Sequence, residues 1–322
     1  MNSISWFIPE TRRFPRWQKF DYNRVLPSVW IRCLQFIPYL ERQGISCRLN
    51  QEFVGTQAAI FLRCFDAPSL ARMRKLKQRG LKVFVDTPVN YFSEVQHPAF
   101  ESDVRKYFIE MASLADGIFC PSRYIQKAGE SKGFKTFYFP DAVDMGYFRK
   151  KKKDFNLENP VFLWCGNSTK ASALNFLAPV IRKHLLKVVI ISERKPRMDF
   201  PHQFLKWDYR KFSNQLLKAD LGIFPRDANN EYDQGHSFFK IGVFLALHIP
   251  VAYSPVPSYE EVANPSNSIE ISEGSSSSWE KVMLSVKELV PALDFHHNPV
   301  THQYSLSVIG SAYADFLKQV LR

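Results

Sequence analysis

Ala58-Ala59-Ile60-Phe61-Leu62, then Pro68 to Arg79 closed by Gly80, then Leu81-Lys82-Val83-Phe84-Val85 is the stretch that decides the architecture. The first and last pieces are short, nearly unbroken apolar runs, the pattern of strands buried on both faces. The middle piece is a basic helix, and glycine after its last turn is a stop signal. A strand, a crossover helix and a second strand make a parallel pair.

The pattern extends outward in both directions. Ile4 to Ile8 reads as a strand, followed by the irregular basic segment Pro9 to Arg24. Val29 to Arg42 has helical spacing and stops at Gly44. Glu101 to Leu114 is amphipathic, Gly117 to Cys120 is a strand, Ser122 caps a short helix to Lys132, and Lys135 to Phe139 is a strand. Strict alternation of strand and helix predicts a doubly wound parallel sheet. Tyr147 to Asn159, with Arg149 and Lys150 to Lys153, is too charged for a core strand and reads as a linker.

A second series follows: strands at Val161–Cys165, Lys187–Ser192, Leu221–Phe224 and Pro250–Tyr253, with helices at Ala171–Lys183, Tyr209–Lys218 and Ser237–Leu247. Gly274 to Ser278 reads as a loop, and Tyr304 to Leu321 as a closing helix. The fold class is therefore α/β, with two doubly wound Rossmann-like domains facing a cleft. Residues 1–148 form the first and 160–303 the second, and the helix 304–322 packs back on the first. Ligands of such sheets bind at the carboxyl ends of the strands.

Composition narrows the function. Lys and Arg number 43 against 31 Asp and Glu, a net charge of +12 that favours an anionic partner. No run approaches the roughly 20 apolar residues of a spanning helix, and no secretory signal is visible, so a cytoplasmic protein is expected. The 5 cysteines are dispersed, without C-x-x-C, as free thiols in a reducing compartment would be. No histidine pair has the spacing of a helical metal site, and no metal or cofactor is expected. Basic clusters lack any recognition-helix or RNA-binding signature, which ranks nucleic acid last among partners.

Three constellations carry the chemical options. Trp164-Cys165-Gly166-Asn167-Ser168-Thr169-Lys170 follows a strand and opens a helix, so glycine and free N–H groups there suit an anion; taken alone, the loop reads first as a capped strand-to-helix turn. Asn230 to Lys240 holds His236, Ser237 as a helix N-cap and Lys240 one turn in, a pairing able to hold a diphosphate or simply a capped surface helix. Asp86, just past the strand Leu81–Val85, is a candidate base at a cleft mouth, with His97 second, or else a turn cap. Arg226, after Leu221–Phe224, is a further cation for a leaving diphosphate or a solvated loop charge.

Ala115-Asp116-Gly117-Ile118-Phe119-Cys120-Pro121-Ser122 and then Phe139-Pro140-Asp141-Ala142-Val143-Asp144 resemble the A-D-x-V-x-x-P-S and I-P-N-G-V-D patterns of GT-B glycosyltransferases of the group 1, family 4-like set. Leu217 to Pro225 is similar to their L-x-x-A-D-I-x-L-x-P. Ser237-Phe238-Phe239-Lys240 through Val251 resembles their S-x-x-K-x-x-E-x-x-A-x-G-x-P-V. The matches run in order over residues 80 to 255. The resemblance implies transfer of a sugar from a nucleotide-activated donor to a glycan or lipid-linked acceptor, in surface polysaccharide or glycoconjugate synthesis. The donor would meet Gly166, Asn167, Ser168, Arg226, His236, Ser237 and Lys240. The glutamates of the family's E-x7-E pair fall on Gly235 and Val243, and the glycine before its proline motif falls on His248. Losing both carboxylates leaves a non-catalytic sugar-nucleotide or polysaccharide-binding protein as the rival. The basic helix Pro68 to Arg79 and the linker lysines would dock the protein on the anionic inner face of a membrane.

Overall fold

In a computed structural model the described residues are 2–9, 22–94 and 103–321. They carry two six-stranded sheets whose pairings are all parallel. The first holds β1 (Asn2–Phe7), β2 (Ile45–Leu49), β3 (Ala58–Leu62), β4 (Lys82–Asp86), β5 (Gly117–Cys120) and β6 (Thr136–Tyr138), in the order β2-β1-β3-β4-β5-β6. The second holds β7 (Val161–Cys165), β8 (Lys187–Ser192), β9 (Gln203–Lys206), β10 (Leu221–Phe224), β11 (Val251–Tyr253) and β12 (Ser268–Glu270), in the order β12-β11-β10-β7-β8-β9. The chain divides into unit 1, made of 1–142, 230–237 and 304–322, and unit 2, made of 143–229 and 238–303. By their contacts 143–148 group with the second sheet and 230–237 with the first, whereas the sequence reading divided the chain at its charged linker.

Unit 1 is held by two cores, one on each sheet face. Side chains alternate across a strand, so Ile4 and Trp6 of β1 join Ile60, Phe84 and Phe119 on one face. Phe7, Phe61, Val83, Val85 and Ile118 line the other. The second face is covered by the helix Ala67–Gln78, through Leu70, Met73 and Leu76, and by Val104–Leu114, through Phe108 and Met111. The first face receives Leu34, Ile37 and Leu40, and from the helix Leu306–Val320 it receives Ile309, Tyr313 and Leu317. Gly44 and Gly80 end their helices at φ +79° and +82°, the left-handed conformation that glycine adopts without a Cβ clash.

The two A-D dipeptides do the same job in the two sheets. Asp116 accepts from the Val83 N–H at 2.7 Å while its own N–H donates to the Val83 carbonyl at 2.7 Å. Asp220 accepts from the Val161 N–H at 2.9 Å, and its N–H donates to the Val161 carbonyl at 2.8 Å. Each carboxylate extends the ladder by one residue and fixes the register of adjoining strands.

Several elements differ from the sequence reading. The strands β2, β9 and β12 are additional. Val29–Arg42 is broken into a short helix, a π-helical turn at Trp30–Leu34 and the helix Ile37–Arg42, since Pro38 cannot continue the hydrogen-bond ladder. The serines at 275–278 begin a helix, Ser276–Leu284, because the Ser275 hydroxyl accepts from the Ser278 N–H. The linker lysines are anchored on unit 2. Lys152 forms a buried 2.9 Å ion pair with Asp220, Lys151 donates to the Ala246 carbonyl, and Lys150 meets Asn214 at 2.9 Å. Cations at the end of the helix Phe239–Ala246 suit its negative pole.

Candidate functional site

In unit 2 the central strand β7 ends at Cys165 and the chain turns at Gly166. A side chain there would not fit: a Cβ would lie 2.6 Å from Lys240 Nζ and 2.7 Å from the Trp164 ring. Lys240 projects from the first turn of the helix Phe239–Ala246, and its Nζ lies 4.7 Å from the centroid of the Trp164 indole, a cation–π contact. Burial pushes the Cys165 thiol up to about 12, with the Lys240 charge pulling the other way. Gly166 and Lys240, 74 positions apart by their numbers, are thus brought together.

The rest of the loop is arranged differently from the anion cradle read in the sequence. Asn167 caps the turn, its side chain accepting from the Thr169 N–H at 3.0 Å. The Ser168 N–H donates to Glu193 Oε2 at 2.9 Å and its hydroxyl donates to Glu193 Oε1. Arg194 Nε donates to Ser168 Oγ at 3.0 Å. The anion that this helix start attracts is a carboxylate of the protein itself, from the loop after β8.

Arg226 follows β10. Its N–H donates to Ser254 Oγ at 3.0 Å and its Nε to the Tyr259 hydroxyl at 3.1 Å, so it is a fastened, half-buried cation and not a solvated one. The helix begins at Phe239, and the position before it is held by Phe238 with helical backbone, one residue after Ser237. His236 is buried, with Nδ1–H donating to the Tyr232 carbonyl at 2.8 Å. His236 and Ser237 belong to unit 1 and Lys240 to unit 2. Val243 is fully buried in its helix, and Gly235 packs on Asn90, where a Cβ would come within 2.7 Å. His248 occupies its glycine-like place at φ +58° and stacks on Phe295 at 5.1 Å, and burial lowers its pKa.

In unit 1, Asp86 ends β4 and is 1% exposed. Arg32, from the π-helical turn, donates through Nε to Asp86 at 2.5 Å and through Nη1 to Asp141 at 2.6 Å. Burial pushes the Asp86 carboxyl up to about 6, against the pull of Arg32 and helped by Asp141. Burial opposes the Arg32 charge, but the two aspartates hold it above the ordinary arginine range. Asp86 is therefore part of an internal ion cluster and not an open base at a cleft mouth; its strand-end position is legible in the apolar run before it, its burial is not. His97 lies outside the described residues. Arg32 and Glu193 escaped the sequence reading. Arg32 left one trace, a lone charge among Trp30, Ile31, Cys33 and Leu34.

On the helix Ala67–Gln78 part of the basic face is paired: Arg74 with Glu110, Lys77 with Asp116, and Arg79 with Glu52. Arg72, Lys75 and Arg79 line a groove of about 560 Å³. Among the described residues no helix is long and apolar enough to cross a membrane.

No protein-family model and no curated protein matches the chain. Solved structures do. Sucrose-phosphate synthase from Thermosynechococcus elongatus superposes with a TM-score of 0.73 at 9% identity, over 99% of both chains. HepE from Anabaena, in complex with UDP and glucose, gives 0.68 at 11% identity over 98% of this chain and 99% of its own. The UDP-forming α,α-trehalose-phosphate synthase from Burkholderia xenovorans gives 0.55 at 11% over 82% and 74%. These are GT-B glycosyltransferases, and the chain has the GT-B fold, two parallel Rossmann-like sheets with interleaved helices.

Proposed function

We propose that the protein is a glycosyltransferase that takes a sugar from a nucleotide-activated donor and passes it to a glycan or lipid-linked acceptor in surface polysaccharide or glycoconjugate synthesis. The observation that carries this reading is the Gly166–Lys240 pair at the carboxyl end of β7. A glycine kept open by an ammonium group, on a Trp164 platform, is a place for a diphosphate. Arg226, tied to Tyr259, is the second cation on the same unit. The two cations would stabilise the leaving diphosphate as the glycosidic bond to the donor breaks, with no resident metal in the scheme. The neighbours' complexes with UDP and with UDP-glucose support a uridine donor for this chain. The exposed Arg72, Lys75 and Arg79 would hold the protein at the cytoplasmic face of an anionic membrane, and vesicle co-sedimentation at low and high salt tests that part.

The test of the main reading is a thermal-shift screen with UDP, GDP, TDP, CMP and ADP, followed by release of UDP from UDP-glucose. A ligand at one hundred times its Kd adds about 2.7 kcal/mol to the folded state. No shift with any of the five would end the reading. A second reading is a non-catalytic sugar-nucleotide or polysaccharide-binding protein on the same fold. It is favoured by the buried Val243 and by Gly235 at the places of the family's glutamates. A nucleotide shift without any UDP release would select it.

A further inference from the structure

The helix Ala67–Gln78, with Arg79 as its C-cap, treats its cations in two ways. Arg74 meets Glu110 at 3.5 Å, Lys77 meets Asp116 at 3.4 Å, and Arg79 pairs with Glu52. Arg72 and Lys75 have no carboxylate partner among the described residues. Both are exposed, and their spacing puts them side by side on one face of the helix. Like charges that are neighbours on a helix face destabilise it, and no acidic side chain of the described chain offsets this pair.

That face borders an open groove of about 560 Å³, lined by Arg72, Lys75, Gln78 and Arg79 together with Ala71 and with Glu52 from the loop between β2 and β3. The size is that of a small-molecule site. The Arg72 guanidinium carbon lies 5.0 Å from the centroid of the buried Phe7 ring, a cation–π contact that steadies the planar fork and leaves its N–H groups for an outside acceptor. Glu52 is the one carboxylate in the lining, and Arg79 already engages it. Two positive charges remain, those of Arg72 and Lys75. A phosphomonoester carries close to two negative charges at neutral pH, and its terminal oxygens accept from a guanidinium fork and an ammonium at once. A phosphodiester has one charge and leaves one cation unmatched; a neutral sugar leaves both. A long polyanion needs a basic stripe, whereas this helix has carboxylates at both ends, Asp66 as its N-cap and Glu52 on Arg79.

From this arrangement we infer that Arg72 and Lys75 form a binding groove for a phosphomonoester group, distinct from the diphosphate site proposed on unit 2. A free sugar phosphate and the headgroup of phosphatidic acid both present this group, and the inference rests on the membrane part of the reading above only for the lipid source. The test on the full chain has an arm for each source. Phosphorus NMR follows D-glucose 6-phosphate at about 0.15 M salt, where charges farther off than about 8 Å are screened. Co-sedimentation compares phosphatidylcholine vesicles carrying phosphatidic acid with vesicles carrying phosphatidylglycerol to the same surface charge. Binding should appear in at least one arm, and sedimentation should favour phosphatidic acid. Arg72→Gln and Lys75→Gln should each weaken it about tenfold or more. Lys77→Gln, which removes the same charge from a paired cation of the same helix, should change it by less than about twofold, and Lys240→Ala should leave it unaltered. Binding of the sugar phosphate alone assigns a free ligand, and binding of phosphatidic acid alone assigns a lipid. No binding in either arm, equal sedimentation on the two vesicle types without sugar phosphate binding, an equal loss in Lys77→Gln, or a loss in Lys240→Ala with none in Arg72→Gln would overturn the groove. Arg72→Gln and Lys75→Gln should keep the wild-type melting temperature and the wild-type response to UDP. A UDP shift without phosphomonoester binding removes the groove alone, and absence of the UDP shift removes the transferase reading alone.

Discussion

At their starting edges the two sheets are built alike, and at their carboxyl ends they are not. Asp116 and Asp220 clamp Val83 and Val161 in the same way. At the far end of β4, unit 1 buries a cation between two carboxylates, Asp86 and Asp141. At the far end of β7, unit 2 sets the Lys240 ammonium against a bare glycine and an indole. One scaffold thus uses charge in two ways. Arg32 is consumed by the fold, joining a helix, a strand end and the segment after β6. Lys240 sits over an indole beside the bare glycine at the end of a central strand, the position on which the proposed diphosphate site is built.

The comparison breaks first at Arg32. Arg32→Leu leaves two buried carboxylates facing each other without their cation, and it should cost about 3–5 kcal/mol in urea unfolding. A loss under 1 kcal/mol would mean that the cluster is not structural. The same cluster predicts a pH dependence. Asp86 holds its proton up to about 6, against an ordinary value of 3.8, so between these pH values the folded chain binds more protons than the unfolded one. Its contribution to stability is therefore full at low pH and declines as pH rises through that window, by on the order of 3 kcal/mol. Urea midpoints from pH 4 to 7 should show the decline in the wild type and a flatter course in Asp86→Asn. A wild-type profile that climbs across the window and is unchanged by the substitution would contradict this.

At the other end of the comparison, Lys240→Ala should leave the fold intact and weaken UDP binding by roughly 1.5–3 kcal/mol, the worth of a charge-assisted contact. Titration calorimetry on a variant with an unaltered melting temperature decides it, and unchanged affinity removes Lys240 from the site. The smallest effect concerns the ribose. Val243, where the sequence resemblance would put a ribose-binding glutamate, is fully buried, so UDP and dUDP should differ by under about 1 kcal/mol, less than one neutral hydrogen bond typically gives. A larger preference for the ribose form would point to another acceptor, and Glu193, beside Ser168, is the carboxylate to substitute next.

What the sequence disclosed follows from how each feature is encoded. The strands β3, β5, β7, β8 and β10 fall where unbroken apolar runs predict them, because central parallel strands are buried on both faces. The strands β2, β9 and β12 were missed because edge strands are short and half wet. Arg48 and Glu270 interrupt β2 and β12, and β9 is exposed at both ends. The Gly166 turn and Lys240 were visible as separate local motifs. Their meeting was not, since it depends on the helix Phe239–Ala246 packing beside β10, where Gly222 lets Phe244 come within 2.8 Å of a Cβ position. The occupation of Ser168 by Glu193 and of Asp86 by Arg32 depends on side chains from distant elements, and no spacing rule encodes either.

The helix Leu306–Val320 has a consequence for the order in which the molecule is made. Ile309, Tyr313 and Leu317 belong to the same core as Trp6, Ile37 and Leu40, so unit 1 is begun first and completed last. At 5–20 residues per second, a ribosome that has finished β6 needs roughly 10–35 s to reach that helix. Throughout that interval the sheet face carrying Trp6, Phe84 and Phe119 lacks the part of its cover that this helix supplies, while every segment of unit 2 emerges before the helix does. The nascent first half thus waits for the end of synthesis to complete its core, and its vulnerability is set by translation speed as well as by free energy.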